Sequence, residues 1–123
     1  IEAQIEHYHI EAVMTHQLED RNHDHRLTAE AVRTATRGHA SPVQCVLGFE
    51  IPEAGLLSTP TWYERIDEIH WTSKLEALAA YRSEQRPWPH PRSATALAEL
   101  SHLRGGQVGT TCAEAFTLLR YCR

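Results

Sequence analysis

The sequence predicts a mixed α/β fold with a partly parallel sheet, because apolar strands alternate with an amphipathic helix. Residues 10–15 are apolar and typical of a short strand, and residues 43–51 form a second apolar run that Pro52 ends. Between them, residues 24–38 are typical of a helix whose apolar positions are four apart, at Leu27, Ala31 and Ala35. Strand and helix alternating in this way favour an α/β protein.

The other elements follow from end signals along the chain. Residues 1–9 are predicted to form a helix, since cationic histidines near its end would suit the helix dipole. After a loop at residues 53–60, the loose alternation at residues 66–71 predicts a short strand. Ser73 and Glu76 have the spacing of a capping box, which predicts that a helix begins there.

The final third of the chain is predicted to contain one further helix. Residues 86–92 carry three prolines and are not expected to be helical, because proline lacks a backbone N–H and restricts the residue before it. Ser93 predicts the start of a helix that Gly105 and Gly106 end, with inward-facing Leu97, Leu100 and Leu103. Residues 112–121 are compatible with either a strand or a helix.

Composition argues against several classes of protein. The chain has 123 residues, of which 41% are hydrophobic and 23% charged, as in one soluble globular domain. A net charge of −4 with dispersed Lys and Arg argues against nucleic-acid binding, and no run approaches the roughly 20 apolar residues of a membrane span. The three cysteines are predicted to be reduced thiols of a cytoplasmic protein, with a Cys112–Cys122 disulfide as the less favoured alternative.

Histidine is the one enriched residue, and its distribution points to a functional site. Of nine histidines, five lie between His7 and His25. Residues 16–26, with the sequence His-Gln-Leu-Glu-Asp-Arg-Asn-His-Asp-His-Arg, join the first predicted strand to the helix. Ligands of open α/β sheets bind in the crevice beyond the carboxyl ends of strands. We therefore expect chemistry in this segment.

Asp24 and His25 are the first candidates within it. Asp24 is suited to cap the helix, and the positive end of the helix dipole favours the neutral form of His25, which is the form that binds metals. Asp24 could also orient a ligating imidazole. The alternative is that Asp24 only caps the helix and His25 only covers its end, because one histidine is not a metal site. His16 ends the strand and could line the crevice.

Five segments, in order, resemble the LmbE-like (PIG-L) zinc-dependent N-deacetylases. Val13 to His16 with Asp20 to Arg26 is similar to the second motif of the family. The later segments are Gly48 to Pro52 with Ser58, Thr59 and Trp62, then Lys74 to Ser83, Pro89 to Ser93, and Ala113 to Phe116. The resemblance covers residues 10–120 and implies a partial Rossmann-like sheet with flanking helices.

One family motif has no counterpart in this sequence. The His-Pro-Asp-Asp-type string that supplies two zinc ligands and the general base is not present. The resemblance therefore implies that residues 1–123 are a single incomplete domain, the C-terminal part of an LmbE-like deacetylase. A companion N-terminal chain would be one source of the missing groups.

The resemblance implies removal of an acyl group from an N-acylated amino sugar or its conjugate, with zinc as the cofactor. His25 would be a metal ligand, Asp24 a carboxylate that orients the ligating imidazole or handles a proton, and Asn22 a donor to the oxyanion. Substrate contacts are expected from His90, Arg92 and, with less support, Glu50. The alternative is a non-catalytic remnant that binds a sugar or a partner chain.

Overall fold

The protein is a mixed α/β structure with a four-stranded sheet. The computed structural model describes residues 1–38, 41–56 and 59–122. Its elements are α1 (Glu2–Tyr8), β1 (Ala12–Thr15), α2 (His23–Ala35), β2 (Cys45–Phe49), β3 (Trp62–Arg65), α3 (Glu68–Ala80), a 3-10 turn (Arg82–Glu84), α4 (Ala94–Val108) and β4 (Ala113–Tyr121). None of these helices is long and apolar enough to cross a membrane.

The sheet order is β1-β2-β4-β3. The sheet is mixed, because β1 pairs in parallel with β2 while β4 pairs antiparallel to β2. The predicted α/β class with a partly parallel sheet is therefore confirmed. The more specific Rossmann-like arrangement stays a prediction. Pairing with β2 also decides the open question about residues 112–121, most of which form a strand.

The chain divides into two compact units, Ile1–Trp62 with Phe116–Arg123, and Tyr63–Ala115. In the first unit, the core is a cluster of four buried side chains: Ile5, Val32, Val43 and Val46. Full burial of each such side chain stabilises the fold by about 1.5–3 kcal/mol. Helix α2 contributes Ala29 and Val32 to the interior, whereas Leu27, one of the apolar positions four apart, is exposed.

Helix α3 replaces the short strand predicted at residues 66–71. The helix begins after Asp67, whose Oδ1 accepts a hydrogen bond from the His70 N–H at 2.9 Å. Ser73 consequently lies inside the helix, where its hydroxyl donates to the Ile69 carbonyl, and the predicted capping box does not form. The strand in this part of the chain is β3, which ends at Arg65, before the predicted strand would begin.

Helix α4 begins as predicted and ends later than predicted. Ser93 caps it by accepting a hydrogen bond from the Ala96 N–H at 3.1 Å. The helix continues through Gly105 and Gly106 to Val108, and Gly109 ends it with a left-handed φ of 73°. The predicted inward position of Leu103 was wrong, since this side chain is 58% exposed. The three cysteines (Cys45, Cys112 and Cys122) are free thiols.

Candidate metal centre

The first unit places residues 16–25 at the carboxyl ends of two parallel strands. Thr15, the last residue of β1, lies opposite Gly48 of β2. The chain leaves β1 at His16 and enters α2 at His23, while Phe49 ends β2 at the same edge. This is the part of an α/β sheet where ligands bind.

Gln17 fastens the segment after β1 to the end of β2. Its buried side chain donates a hydrogen bond to the Phe49 carbonyl at 3.2 Å. A Cβ atom at Gly48 would lie 2.6 Å from the Gln17 Nε2 atom, so only glycine leaves room for this contact. The backbone on either side of Gln17 is thus held against the sheet.

Three side chains meet at this edge and form what we call the His-Asp-His cluster, which consists of His16, Asp20 and His25. One potential ligand atom from each lies within 4.8 Å of the others, so the cluster could hold a metal ion. Asp20 Oδ2 is 2.9 Å from His25 Nδ1. The two imidazole rings stack with centroids 3.9 Å apart and planes 10° apart.

Asp20 is held more firmly than any other member of the cluster. Asp20 is only 2% exposed, and its Oδ1 accepts a hydrogen bond from the Asn22 N–H at 2.8 Å. Arg26 donates to the Asp20 backbone carbonyl at 2.7 Å. Hydrogen bonds therefore hold both the side chain and the backbone of Asp20 in the segment that precedes α2.

His16 carries a buried nitrogen that the described residues leave without a hydrogen bond. This nitrogen is Nδ1. The neighbouring Thr15 Oγ1 is also buried without a hydrogen-bond partner among the described residues. Buried polar atoms normally have a partner, and an exception calls for an explanation such as an ion or a water molecule. The edge of Phe49 packs against the His16 ring, with centroids 4.7 Å apart.

The electrostatic environment keeps His16 neutral and Asp20 ionised near pH 7. Burial lowers the pKa of His16, and the adjacent His25 lowers it further, while Asp20 opposes this change. Burial acts to raise the pKa of Asp20, but hydrogen bonds from the Asn22 N–H and from His25 outweigh it, so the pKa lies below its usual value. Neutral imidazole and ionised carboxylate are the forms that bind metals.

Acid is expected to destabilise the protein in two steps. Because the folded-state pKa of His16 is lowered, the unfolded chain binds that proton more readily, and stability falls as the pH drops below about 6.5. The lowered pKa of Asp20 adds a second loss that begins below about pH 3.9. Urea unfolding across this range should show that His16→Gln flattens the upper step, whereas His102→Gln, at an exposed position, does not. An unchanged upper step in His16→Gln would contradict the assignment.

Asn22, rather than Asp24, is the residue that caps α2. Its Oδ1 accepts a hydrogen bond from the Asp24 N–H at 2.9 Å, so the prediction that Asp24 caps this helix was wrong. The cap lies two residues earlier than predicted, at a residue whose backbone N–H donates to Asp20 Oδ1. Asp24 is exposed, and the carboxylate that contacts His25 is that of Asp20.

Asn22→Ala is expected to lower the free energy of unfolding by about 1 kcal/mol, because the Asp24 N–H loses its side-chain partner. Asn22→Asp is the matched control, since aspartate caps helices about as well as asparagine and should retain stability. Urea unfolding of both variants measures the difference. Equal stability of Asn22→Ala and the wild type would rule out this cap as a stabilising contact.

Of the three predicted substrate residues, Glu50 lies in the first unit, and His90 and Arg92 lie in the second. Glu50 is half-buried and directly follows β2 in the first unit. His90 and Arg92 belong to the second unit, where His90 Nδ1 accepts a hydrogen bond from the Arg92 N–H at 3.1 Å. Arg92 pairs with Glu84 at 2.8 Å and lines a mostly apolar cavity of about 440 Å³.

A second cavity, of about 360 Å³, is lined in part by residues that are adjacent in sequence to members of the His-Asp-His cluster. Gln17 and Glu19, which flank cluster residues, line one side of it, and Gly55 and Leu56 line another. A Cβ atom at Gly55 would be 3.7 Å from Asp20 Oδ2, so this wall reaches the Asp20 carboxylate. The volume is within the range of small-molecule sites, about 300–1,000 Å³.

The sequence singled out the segment that carries the His-Asp-His cluster, but not the carboxylate that contacts His25. The partnership of Asp20 with His25 depends on a turn between them, which helix spacing does not reveal. His16 had a weaker signal, as the last residue of the strand. The placement of His16, Asp20 and His25 around the junction between β1 and α2 would have been a stronger signal in the sequence.

The fold and the cluster define an α/β protein with a carboxylate–histidine site that could hold a metal ion. No protein-family model matches the sequence, and no curated protein matches it.

Proposed function

We propose that the protein is a zinc-dependent hydrolase that removes the acyl group from an N-acylated amino sugar or its conjugate. The observation that carries the proposal is the His-Asp-His cluster at the carboxyl ends of β1 and β2. The five motif segments that resemble LmbE-like deacetylases support the reaction type, the substrate class and the Rossmann-like form of the sheet.

The donor set fits zinc. Imidazole nitrogen and carboxylate oxygen are common zinc ligands, and catalytic zinc sites keep one position open for water or substrate. His25 is the imidazole that the resemblance assigns to the ion, and the buried His16 nitrogen without a hydrogen bond supports the presence of an ion or water molecule at this edge. When bound, zinc would supply a Lewis acid that polarises an amide carbonyl and acidifies water.

Residues around the cluster would handle the substrate. The Asn22 Oδ1 is used by the helix cap, but an asparagine amide also has two N–H donors, which suit a developing oxyanion. Asp24 is an exposed carboxylate one residue from His25 and remains the candidate for proton handling. Glu50, His90 and Arg92 are proposed substrate contacts, on the resemblance alone.

The general base and further ligands would come from a His-Pro-Asp-Asp-type string. This sequence does not contain one. A companion chain or segment that carries the string would complete the site. Without it, the second candidate function is a non-catalytic module that binds a metal ion and a sugar or a partner.

Zinc content and amide hydrolysis test the proposal together. With a companion chain or segment that supplies the string, we expect zinc to remain bound after extensive dialysis, and amine release from N-acetylglucosamine or its conjugates to stop on chelation and return with zinc. Retained zinc without hydrolysis, even with a companion chain added, would favour the non-catalytic module. Protein that retains no zinc would contradict the proposal.

A further inference from the structure

We propose that Asp20 is a positioning residue that holds the His25 imidazole as the tautomer protonated on Nδ1, so that Nε2 is the metal-binding atom. The metal part of this inference rests on the proposed function. The effect of Asp20 on the imidazole does not, and can be measured without any metal.

The hydrogen bonds of Asp20 determine the tautomer. An ionised carboxylate can only accept hydrogen bonds. Its Oδ2 lies 2.9 Å from His25 Nδ1, so this nitrogen must carry the proton. A neutral imidazole has one protonated nitrogen, which leaves the lone pair on Nε2. Metal-ligating histidines commonly donate their other N–H to a carboxylate in this way.

The hydrogen bonds of Asp20 favour a positioning role over direct coordination. Its Oδ2 lies 2.9 Å from His25 Nδ1, which is the separation of a charge-assisted hydrogen bond. The other oxygen, Oδ1, is already engaged by the Asn22 N–H.

The surroundings hold the imidazole in place. His16 covers one face of the ring at 3.9 Å, and Phe49 in turn packs against His16. Asp20 is 2% exposed on its side chain and His25 is 25% exposed, so the hydrogen bond is shielded while part of the imidazole remains accessible. Asp20 therefore fixes the ring at its edge, and His16 fixes it at its face.

Asp20→Asn separates this role from a purely structural one. The Asn22 N–H requires an acceptor, so the amide oxygen should take the place of Oδ1 and the amide NH₂ should face His25. His25 Nδ1 would then accept a hydrogen bond, and the proton would move to Nε2. The variant keeps the shape and hydrogen-bond count of the turn, removes one negative charge and reverses the tautomer.

The imidazole nitrogen chemical shifts of the metal-free protein, measured with the ring neutral, report the tautomer. We expect Nδ1–H in the wild type and Nε2–H in Asp20→Asn. Glu30→Gln, which removes an exposed carboxylate from α2, is the charge control and should retain Nδ1–H. The same tautomer in the wild type and in Asp20→Asn would overturn the proposal.

Metal binding provides a second readout. Zinc affinity is expected to fall about 10–100-fold in Asp20→Asn, as for other partners of ligating histidines, and to be unchanged in Glu30→Gln. Spin coupling between bound cadmium and the His25 nitrogens should identify Nε2 as the ligand atom. Coupling to Nδ1 would show that metal displaces the Asp20 hydrogen bond and would overturn the proposal.

The two proposals can fail separately. Wild-type protein that binds no metal would contradict the zinc-dependent function and the assignment of Nε2 as ligand, while the tautomer measurement would still decide whether Asp20 positions His25. Bound zinc with an unchanged tautomer in Asp20→Asn would contradict the role of Asp20 and leave the zinc-dependent function standing.

Discussion

His25→Ala is expected to lower zinc affinity by more than about 100-fold, since loss of a hydrogen-bonding partner of a ligand already costs about 10–100-fold. The substitution removes the imidazole that Asp20 orients and that His16 stacks against. Hydrolytic activity should be lost together with the metal. Isothermal titration calorimetry with zinc measures the effect.

The adjacent His23→Ala is the matched control. His23 is exposed on the same helical turn, and its ring nitrogen lies 3.5 Å from the Arg26 guanidinium, outside the His-Asp-His cluster. Its removal should leave zinc affinity unchanged. Thermal unfolding of both variants checks that the fold is retained, because His25→Ala also deprives the buried Asp20 of a partner. Full zinc retention in His25→Ala would eliminate its role as a ligand.

Gly105→Ala is expected to have the largest effect on stability, a loss of about 3 kcal/mol. Gly105 is buried in α4, and an added Cβ atom would lie 2.6 Å from the carbonyl oxygens of Thr110 and Thr111. These are backbone atoms, which cannot move aside as the end of a flexible side chain can. The chain returns past Gly105 because the Thr110 N–H donates to the Gly105 carbonyl at 3.0 Å.

Gly106→Ala is the control at the next position in the same helix. A Cβ atom there would meet nothing within 4 Å, so alanine should stabilise the helix by about 0.5–1 kcal/mol. The two single-methyl additions are therefore expected to shift the urea midpoint in opposite directions. A Gly105→Ala protein as stable as the wild type would show that the chain after α4 does not pack as described.

The first half of the fold was predictable because its signals are local. The apolar run at residues 10–15 and the helix that follows depend on the periodicity of neighbouring side chains, and both are present as β1 and α2. The segment at residues 16–26 was recognisable for a related reason. Ionisable groups crowded between a strand and a helix are seldom placed there by the packing of the core alone.

The second half was less predictable because competing local signals have similar strength. Asp67 and Ser73 are both good helix caps, and only the structure shows that the helix begins at the first of them. Gly105 and Gly106 are common helix-ending residues, but α4 continues through them because the chain that follows packs closely against Gly105.

The sequence by itself determined the class of fold and the segment that carries the candidate site, since both depend on residues that are near each other in the chain. The tertiary structure decided which carboxylate serves which imidazole. Asp24 is adjacent to His25 but exposed, whereas Asp20, five residues away, is buried and within hydrogen-bonding distance. A turn folds Asp20 back onto the first turn of α2, and the position of that turn depends on the sheet edge beneath it, which no local pattern encodes.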